Sequence, residues 1–416
     1  MYRFQQDIPL EEFNQFIKQT SFAPIQQTEA WSKLKNNWAS SICGVYKDET
    51  LVGAALILMR KLLPGFVYAY CPRGPLMDLT DKDAVATFTE GVRNFCKEKG
   101  VYLLKIDPAV VVGKTLPDME EERYCDPFDL QRGQAEFDVL TACGFRHKGF
   151  GKALDSATQP RYNALIPLKD REGNFLSAAQ FKKNYRQKLR KYLGTFQSAR
   201  GLTYEGKEPT EETVARFKKI LSSTEARQNI SLRSEDYFSL LADAFGEDAF
   251  FAFERCDVTV YLENLKQRLA KEPENQEKIM QQIAEAEEIK TQRGEQIPLA
   301  ALLTVYPPNE TGVRIAEYLY AGADLSVFSS FCATLCGLFA QCHLCQERNC
   351  DFLNLGGVSG TFDDGLFDFK NPFNPIIVEY AGEFDLPVSG WKYALMDKGL
   401  PFAKKCYSKA RKLLRK

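Results

Sequence analysis

Two segments of the chain share one arrangement of strand-like and helix-like sequence. The first runs from a strand ending at Tyr70, through a glycine turn and a helical stretch, to the strand that ends at Asp107. The second runs from a strand ending at Tyr320, through a glycine and a helical stretch, to the strand that reaches Gly357. Each pair of end points is 37 positions apart. Two strand–turn–helix–strand units of one length predict a duplicated α/β (α+β) fold.

The length and composition of the chain fit two or three compact domains. It has 416 residues, of which 44% are hydrophobic, and this is enough to bury a core in each domain. No apolar run approaches the roughly 20 residues that span a bilayer. The N-terminal segment MYRFQQDIPLEEF lacks the basic start and apolar core of a secretory signal. We therefore expect a cytoplasmic protein whose 12 cysteines are mostly reduced thiols.

The segment from Asp351 to Phe373, DFLNLGGVSGTFDDGLFDFKNPF, has the composition of a ligand site. An apolar strand breaks at Gly356 and Gly357, and Lys370 follows the loop. Paired glycines after a buried strand let the backbone approach a ligand closely. A lysine just beyond such a loop can bring a positive charge into the same space.

A polar helical insertion is predicted at residues 258–296. Apolar residues recur at three- and four-residue spacing on both sides of the breaker KEPEN, at Leu262, Leu265, Leu269, Ile279, Ile283, Ala286 and Ile289. Two such helices around one turn predict an antiparallel coiled-coil hairpin. Strand-like sequence on each side indicates that this arm interrupts a sheet at a hairpin turn. The pattern does not distinguish a partner-binding arm from a tolerated insertion.

Two basic runs stand out against a net charge of −1. The first, FKKNYRQKLRKY, contains the cations Lys182, Lys183, Arg186, Lys188, Arg190 and Lys191. The second is the tail from Lys404 to Lys416, in which two leucines favour a membrane surface. Each run is either a solvated surface or a phosphate contact, with an RNA backbone for the first and anionic headgroups for the second.

Other kinds of site have weaker support. Five cysteines cluster around His343, at Cys332, Cys336, Cys342, Cys345 and Cys350. On a helix they spread over more than one face, so we predict packing and no metal site. The chain has only two histidines, which disfavours a Ser-His-Asp or Cys-His hydrolase. Neither a P-loop lysine motif nor a dinucleotide fingerprint occurs.

Six motifs together resemble one known family. They are WSKLKNNW from Trp31, KIDP from Lys105, EYLYAG from Glu317, GGVSG from Gly356, FDFKNPF from Phe367 and EYAGEFDLP from Glu379. In order and spacing the chain resembles the FemABX family of peptidoglycan bridge-forming aminoacyltransferases. The helical arm with its PEN turn is similar to that of the FemA-like and MurM-like members.

The resemblance implies both a fold and an activity. The fold is two tandem acetyltransferase-like (GNAT) domains. We expect the first at residues 1–155, completed by 385–416, and the second at 156–384. Members take an aminoacyl group from aminoacyl-tRNA, as co-substrate and without a further cofactor, and place it on a stem-peptide amine of a peptidoglycan precursor. That muramyl peptide is lipid-linked or nucleotide-linked, and the lipid-linked form is expected here. Further expected partners are the anionic inner face of the cell membrane and related bridge-forming transferases.

The resemblance also implies roles for single residues. Lys370 matches the lysine that stabilises the oxyanion, and Asp107 matches an aspartate proposed as the base. Lys35 and Arg233 match a cation pair that grips the diphosphate of the precursor. The other substrate-binding positions are Tyr102, Tyr237, Tyr318, Tyr320, Gly356 and Gly357, and the basic run supplies the expected tRNA contacts.

Two alternatives stay open at this point, and one is a protein that only binds partners and uses the arm as an interaction module. A coenzyme-A-dependent acyltransferase could use the same tandem fold. It would need a glycine-rich pyrophosphate loop before a helix, and we find none.

Overall fold

A computed structural model describes residues 1–115, 124–154, 158–193, 195–229 and 232–399. The basic tail predicted from Lys404 to Lys416 lies outside the described residues. Within them the chain forms two eight-stranded sheets with helices packed on both. The predicted mixed α/β fold is confirmed.

The strands are β1 (Tyr2–Gln5), β2 (Ala39–Lys47), β3 (Thr50–Leu63), β4 (Phe66–Arg73), β5 (Leu76–Met77), β6 (Val101–Pro108), β7 (Val111–Thr115), β8 (Arg146–His147), β9 (Tyr162–Pro167), β10 (Leu202–Lys207), β11 (Ala249–Asp257), β12 (Gln296–Val305), β13 (Ile315–Ala323), β14 (Phe352–Val358), β15 (Ile376–Tyr380) and β16 (Phe384–Pro387). The helices are α1 (Leu10–Gln19), α2 (Glu29–Leu34), α3 (Lys82–Glu98), α4 (Leu130–Ala142), α5 (Ala178–Asn184), α6 (Gln187–Arg190), α7 (Thr195–Ala199), α8 (Glu211–Gln228), α9 (Glu235–Phe245), α10 (Val258–Lys271), α11 (Gln276–Arg293), α12 (Ala333–Glu347), α13 (Gly365–Lys370) and α14 (Gly390–Ala394).

The first sheet has the strand order β1-β2-β3-β4-β6-β16-β8, and β5 pairs with β3. Its parallel pair, β4 and β6, is joined by the crossover helix α3. Asp81 caps α3 by accepting hydrogen bonds from the amides of Asp83 and Ala84. Val85, Phe88 and other apolar residues at helical spacing then bury one face of α3 in the core of this sheet.

The second sheet has the order β10-β11-β12-β13-β14-β9-β15-β7. It takes β7 from residues predicted to lie in the first domain, and β16 near the C-terminus pairs with β6 of the first sheet. The chain therefore crosses between the sheets at both places. The predicted domain ranges do not coincide with the sheets at β7, because the chain leaves the first sheet directly after β6.

One apolar core is shared between the two halves. It combines Leu56 and Leu58 of β3 with Phe217 of α8, Phe238 of α9 and Leu303 of β12. Residues of α1 and α2 belong to the same core. This packing holds the two sheets together through apolar contact.

The two parallel strand pairs differ in a way that bears on function. The β4–β6 pairing continues from Val67 to Arg73 on β4, whereas β13 and β14 pair only as far as Glu317 and Asn354. Beyond that point the two strands separate and leave a wedge-shaped opening, the wedge, between them in the second sheet. The register offsets also differ, at 35 residues for Tyr70–Lys105 and 37 for Glu317–Asn354. The equal spacing seen in the sequence therefore does not correspond to an equal pairing register in the two strand pairs.

The predicted arm is an antiparallel helical hairpin formed by α10 and α11. The short turn Pro273–Asn275 joins the two helices, and the apolar positions predicted for the seam are buried or partly buried. The flanking strands β11 and β12 pair with each other down to Asp257 and Gln296. The arm therefore interrupts a sheet at a hairpin turn, as the flanking sequence predicted.

Candidate functional site

Lys370 ends helix α13 at the mouth of the wedge. Asp364 caps this helix, because its carboxylate accepts hydrogen bonds from the amides of Phe367 (2.8 Å) and Ser359 (3.0 Å). Lys370 is only 5% exposed, and its ammonium donates to the carbonyl of Gly357 at 2.6 Å. Burial lowers the pKa of Lys370 to about 8. The group is therefore a desolvated cation whose charge is available below that pH.

The two glycines form the turn against which Lys370 lies. Gly356 has a φ of +80°, and its amide donates to Asn354 Oδ1 at 2.8 Å. A Cβ at Gly357 would lie 2.4 Å from Cβ of Pro160. Glycine is thus required at the first position by its backbone conformation and at the second by close packing.

Glu317 lies where β13 and β14 separate. Its Oε2 accepts a hydrogen bond of 2.9 Å from Asn354 Nδ2, and its side chain remains half-buried. Burial raises the pKa of Glu317 to about 7. Sequence reasoning assigned no role to either residue, although a polar side chain inside the apolar run FLNLGG was a usable signal.

Asp107 is enclosed by hydrogen-bond donors. It is 0% exposed and accepts from the Tyr70 hydroxyl (2.5 Å), the Arg73 amide (2.7 Å) and the Gln159 amide (2.7 Å). Burial raises the pKa of its carboxyl group. A general base must reach the proton that it removes. This geometry favours a residue that positions its neighbours, so the proposed base role stays a prediction without geometric support.

A continuous chain of hydrogen bonds connects Asp107 to the turn beside Lys370. Each link joins a donor and an acceptor 2.6–3.2 Å apart, and the chain runs through Arg73, Pro160, Asn163, Asn354 and Gly356. The two predicted catalytic residues therefore belong to one polar network that crosses from the first sheet to the second. Buried networks of this kind hold their members in fixed geometry.

Four of the predicted substrate-binding residues form a second cluster. The Lys35 ammonium lies 4.7 Å from the Trp31 ring, and the Arg233 guanidinium lies 5.1 Å from the Tyr237 ring. The Tyr320 hydroxyl donates to that of Tyr237 at 3.4 Å. Burial and the nearby Arg233 charge lower the pKa of Lys35. No carboxylate in the described part of the chain forms a salt bridge with either cation. Two neighbouring positive charges without such a partner can bind an anion.

Tyr102 and Tyr318 lie outside this cluster. Tyr318 and Tyr320, two positions apart, would share a strand face, but the pairing of β13 with β12 shifts between them. Tyr318 packs with the core around α12, and Tyr320 packs with the core around α8 and α9. Tyr102 is 3% exposed and packs edge-on against Phe66 at 5.6 Å. The substrate-binding roles of Tyr102 and Tyr318 stay predictions. The β-bulge turns Tyr318 and Tyr320 to opposite faces of the second sheet.

The basic run is partly structural. Phe181, Tyr185 and Leu189 are buried in the core of the second half, which sets the orientation of α5 and α6. Arg186 donates from Nε to Asn371 Oδ1 at 2.8 Å and so braces the turn after Lys370. Lys183 is exposed and Lys182 is half-buried, with its ammonium 5.8 Å from the Phe339 ring.

The end of the run faces the arm. Arg190 and Lys191 are exposed and line a cavity of about 760 Å³ together with Arg200, Arg268 and Lys278. The last two residues belong to α10 and to α11. The predicted phosphate-contact segment thus meets cations contributed by the insertion.

The described cysteines are free thiols. Burial raises the pKa of Cys342 to about 12, so this thiol stays protonated. Over the described ranges no group of three His, Cys, Asp or Glu side chains is arranged to hold a metal ion. Likewise, none of the helices described is long and apolar enough to cross a membrane.

Comparison with known proteins identifies relatives of the whole chain. A lipid II:glycine glycyltransferase of Staphylococcus saprophyticus is 25% identical over 96% of this chain and 97% of its own length. An aminoacyltransferase FemA of Staphylococcus epidermidis is 22% identical over 92% of this chain and 95% of its own. The crystal structure of FemX superposes with a TM-score of 0.75 at 21% identity, and it covers 95% of this chain. The model of the FemAB family matches residues 8–283 and 266–398. The chain therefore belongs to the FemAB family.

Proposed function

We propose that this protein transfers an amino acid from aminoacyl-tRNA to a stem-peptide amine of a lipid-linked peptidoglycan precursor, and so builds an interpeptide bridge. The observation that carries the proposal is the desolvated Lys370 ammonium at the open wedge of the second sheet. Relatives over nearly the full length are a lipid II:glycine glycyltransferase and aminoacyltransferases FemA. Their names support this substrate class for the present chain.

The chemistry that Lys370 would supply is electrostatic. An aminoacyl ester is already activated, so the main barrier is formation of a tetrahedral intermediate with a charged oxygen. A fixed ammonium in a site of low polarity stabilises that oxygen more strongly than an ammonium in water does. With a pKa of about 8, Lys370 carries its charge at neutral pH. Activity that depends on this charge should fall as the pH rises through that value.

The precursor would be held by Lys35 and Arg233. Both cations lack a carboxylate partner among the described residues, and the fork of an arginine suits phosphate oxygens. Tyr237 and Tyr320 adjoin them and offer hydroxyl groups to the same ligand. A diphosphate bound there would relieve the repulsion between the two charges.

The tRNA would approach the face between the basic run and the arm. Cations from both segments line the cavity there, and neutralising several phosphates with such groups gives salt-dependent affinity. A lipid-linked acceptor further implies work at the inner face of the cell membrane. We therefore propose a cytoplasmic protein in peripheral contact with that surface, where related bridge-forming transferases would extend its product.

The direct experiment incubates the protein with radiolabelled aminoacyl-tRNA and either lipid-linked or nucleotide-linked precursor. We expect label in the lipid-linked product and loss of transfer after ribonuclease treatment. A control reaction contains labelled acetyl-coenzyme A and the same precursors. Transfer from acetyl-coenzyme A, with none from any charged tRNA, would contradict the proposal and favour the alternative acyltransferase.

A further inference from the structure

Glu317 has one engaged and one accessible carboxylate oxygen. Oε2 accepts the 2.9 Å hydrogen bond from Asn354. Oε1 has no hydrogen-bond partner in the described part of the chain, and it is not fully buried. The half-buried side chain therefore keeps Oε1 accessible, at the residue where the pairing of β13 and β14 ends.

Asp107 differs from Glu317 in this respect. Its two oxygens receive three donors from the protein, and the residue has no exposed surface. A carboxylate can act on a substrate proton only if one lone pair is free and reachable. Of the two carboxylates, Asp107 and Glu317, it is Glu317 that has a free and reachable oxygen.

Glu317 is also connected to the turn that carries Lys370. Asn354 donates from Nδ2 to Glu317 and accepts at Oδ1 from the amide of Gly356. A Cβ built on Gly356 would lie 3.8 Å from the ammonium of Lys370. The carboxylate of Glu317 and the ammonium of Lys370 are thus linked through Asn354 and the Gly356–Gly357 turn.

On the basis of the proposed function, we infer that Glu317 is the proton acceptor for the attacking amine, while Lys370 stabilises the oxyanion. An amine of the lysine type is mostly protonated at neutral pH, so it must lose a proton before it attacks. The accessible oxygen of Glu317 is suited to take that proton, and Asn354 keeps the carboxylate in place.

The acceptor ammonium gives one proton to the Glu317 carboxylate, and the neutral nitrogen bonds to the ester carbonyl carbon. In the resulting intermediate the oxyanion faces Lys370. The intermediate collapses with cleavage of the ester C–O bond, and the nitrogen's second proton leaves with the ribose oxygen as a hydroxyl group. Protonated Glu317 then releases its proton to water.

The charges around Glu317 fit this task. Burial raises the pKa of Glu317, whereas the hydrogen bond from Asn354 and the positive charge of Arg73 lower it, which leaves it at about 7. Tyr380 of β15 lies near both Glu317 and Arg73. Tyr318 follows Glu317 on β13. Because the carboxylate form predominates above about pH 7, kcat should rise with pH through that value.

The test compares Glu317→Gln with wild type in the aminoacyl-transfer assay. Glutamine keeps the shape and can still accept the hydrogen bond from Asn354. We expect kcat to fall about 100-fold, the KM for precursor to stay unchanged, and the rise of kcat near pH 7 to disappear. The matched control is Glu205→Gln, a half-buried carboxylate at the far edge of the same sheet that pairs with Arg255. This control should keep the wild-type kcat and pH profile.

A second acceptor separates proton transfer from a structural role. A precursor whose acceptor amine is replaced by an aminooxy group needs no base, because that nitrogen is unprotonated at neutral pH. Glu317→Gln should use it at nearly the wild-type rate. Equal slowing with both acceptors, or a retained pH dependence, would overturn the inference. Wild-type transfer in the same assay tests the proposed function separately, so the two failures are distinguishable.

Discussion

Replacing Asp107 with asparagine separates a positioning role from a chemical one. The carboxylate accepts hydrogen bonds from Tyr70, Arg73 and Gln159. An asparagine side chain has one acceptor oxygen, and its amide nitrogen would face at least one of these donors. The backbone amide of Arg73 is the donor most affected if the amide nitrogen replaces Oδ1, because it alone binds Oδ1.

The expected cost follows from those contacts. A hydrogen bond to a charged group contributes about 1.5–3 kcal/mol, and a buried donor left without a partner costs about 1–3 kcal/mol. A local destabilisation of about 3 kcal/mol is therefore reasonable for Asp107→Asn. At about 1.4 kcal/mol per factor of ten, local opening should become more than about 100 times as frequent.

Amide hydrogen exchange followed by mass spectrometry measures this opening. Peptides that contain Arg73 and Gln159 should exchange faster in Asp107→Asn, while peptides from the arm should not change. Tyr70→Phe is the matched control: it removes one hydrogen bond together with its donor, so its effect should be smaller. Wild-type exchange in Asp107→Asn, combined with a large loss of kcat, would refute the positioning role and restore Asp107 as a base.

Three further predictions follow from the charges. Glu254 is 0% exposed, and burial raises its pKa from an ordinary 4.5 to about 8. The folded state therefore holds this proton more tightly, and stability should fall as pH rises between those values by roughly 1.4 kcal/mol per pH unit. Glu254→Gln should unfold at a higher urea concentration than wild type, and the difference between the two midpoints should grow with pH over this range. A difference that does not depend on pH would contradict the raised pKa of Glu254. Lys35→Ala and Arg233→Ala should mainly raise the KM for precursor in steady-state kinetics, whereas an equal collapse of kcat with unchanged KM would argue against diphosphate binding. Reversing the charges of Arg190 and Lys191 should weaken tRNA binding and reduce the slope of log affinity against log salt, and an unchanged slope would remove this surface from the tRNA site.

Local patterns predicted the large features of the fold. The seam of the arm follows from apolar spacing within one segment. The strand-like sequence on each side predicts the β-hairpin that the arm interrupts. The duplication follows from two similar strand–helix–strand units. The register of each parallel pair is set by contacts between distant residues, so the offsets of 35 and 37 residues could not be read from either segment alone.

The site was predictable only in part. Motifs led to Lys370, and the structure gives it a partner in the turn at Gly357. Glu317 acquires its position from the separation of β13 and β14, which is a property of two strands and not of either sequence. Tyr318 and Tyr320 were predicted together, but a bulge between them sends their rings to different cores. A bulge of this kind depends on the partner strand and has no local signature here.

The most direct test of the account is the turnover number of Lys370→Met with radiolabelled aminoacyl-tRNA and lipid-linked precursor at saturation. Methionine keeps most of the buried stem and removes the charge. We predict a fall in kcat of about 100- to 1000-fold with little change in KM. A variant that turns over at the wild-type rate would contradict the claim that this buried ammonium stabilises the transition state.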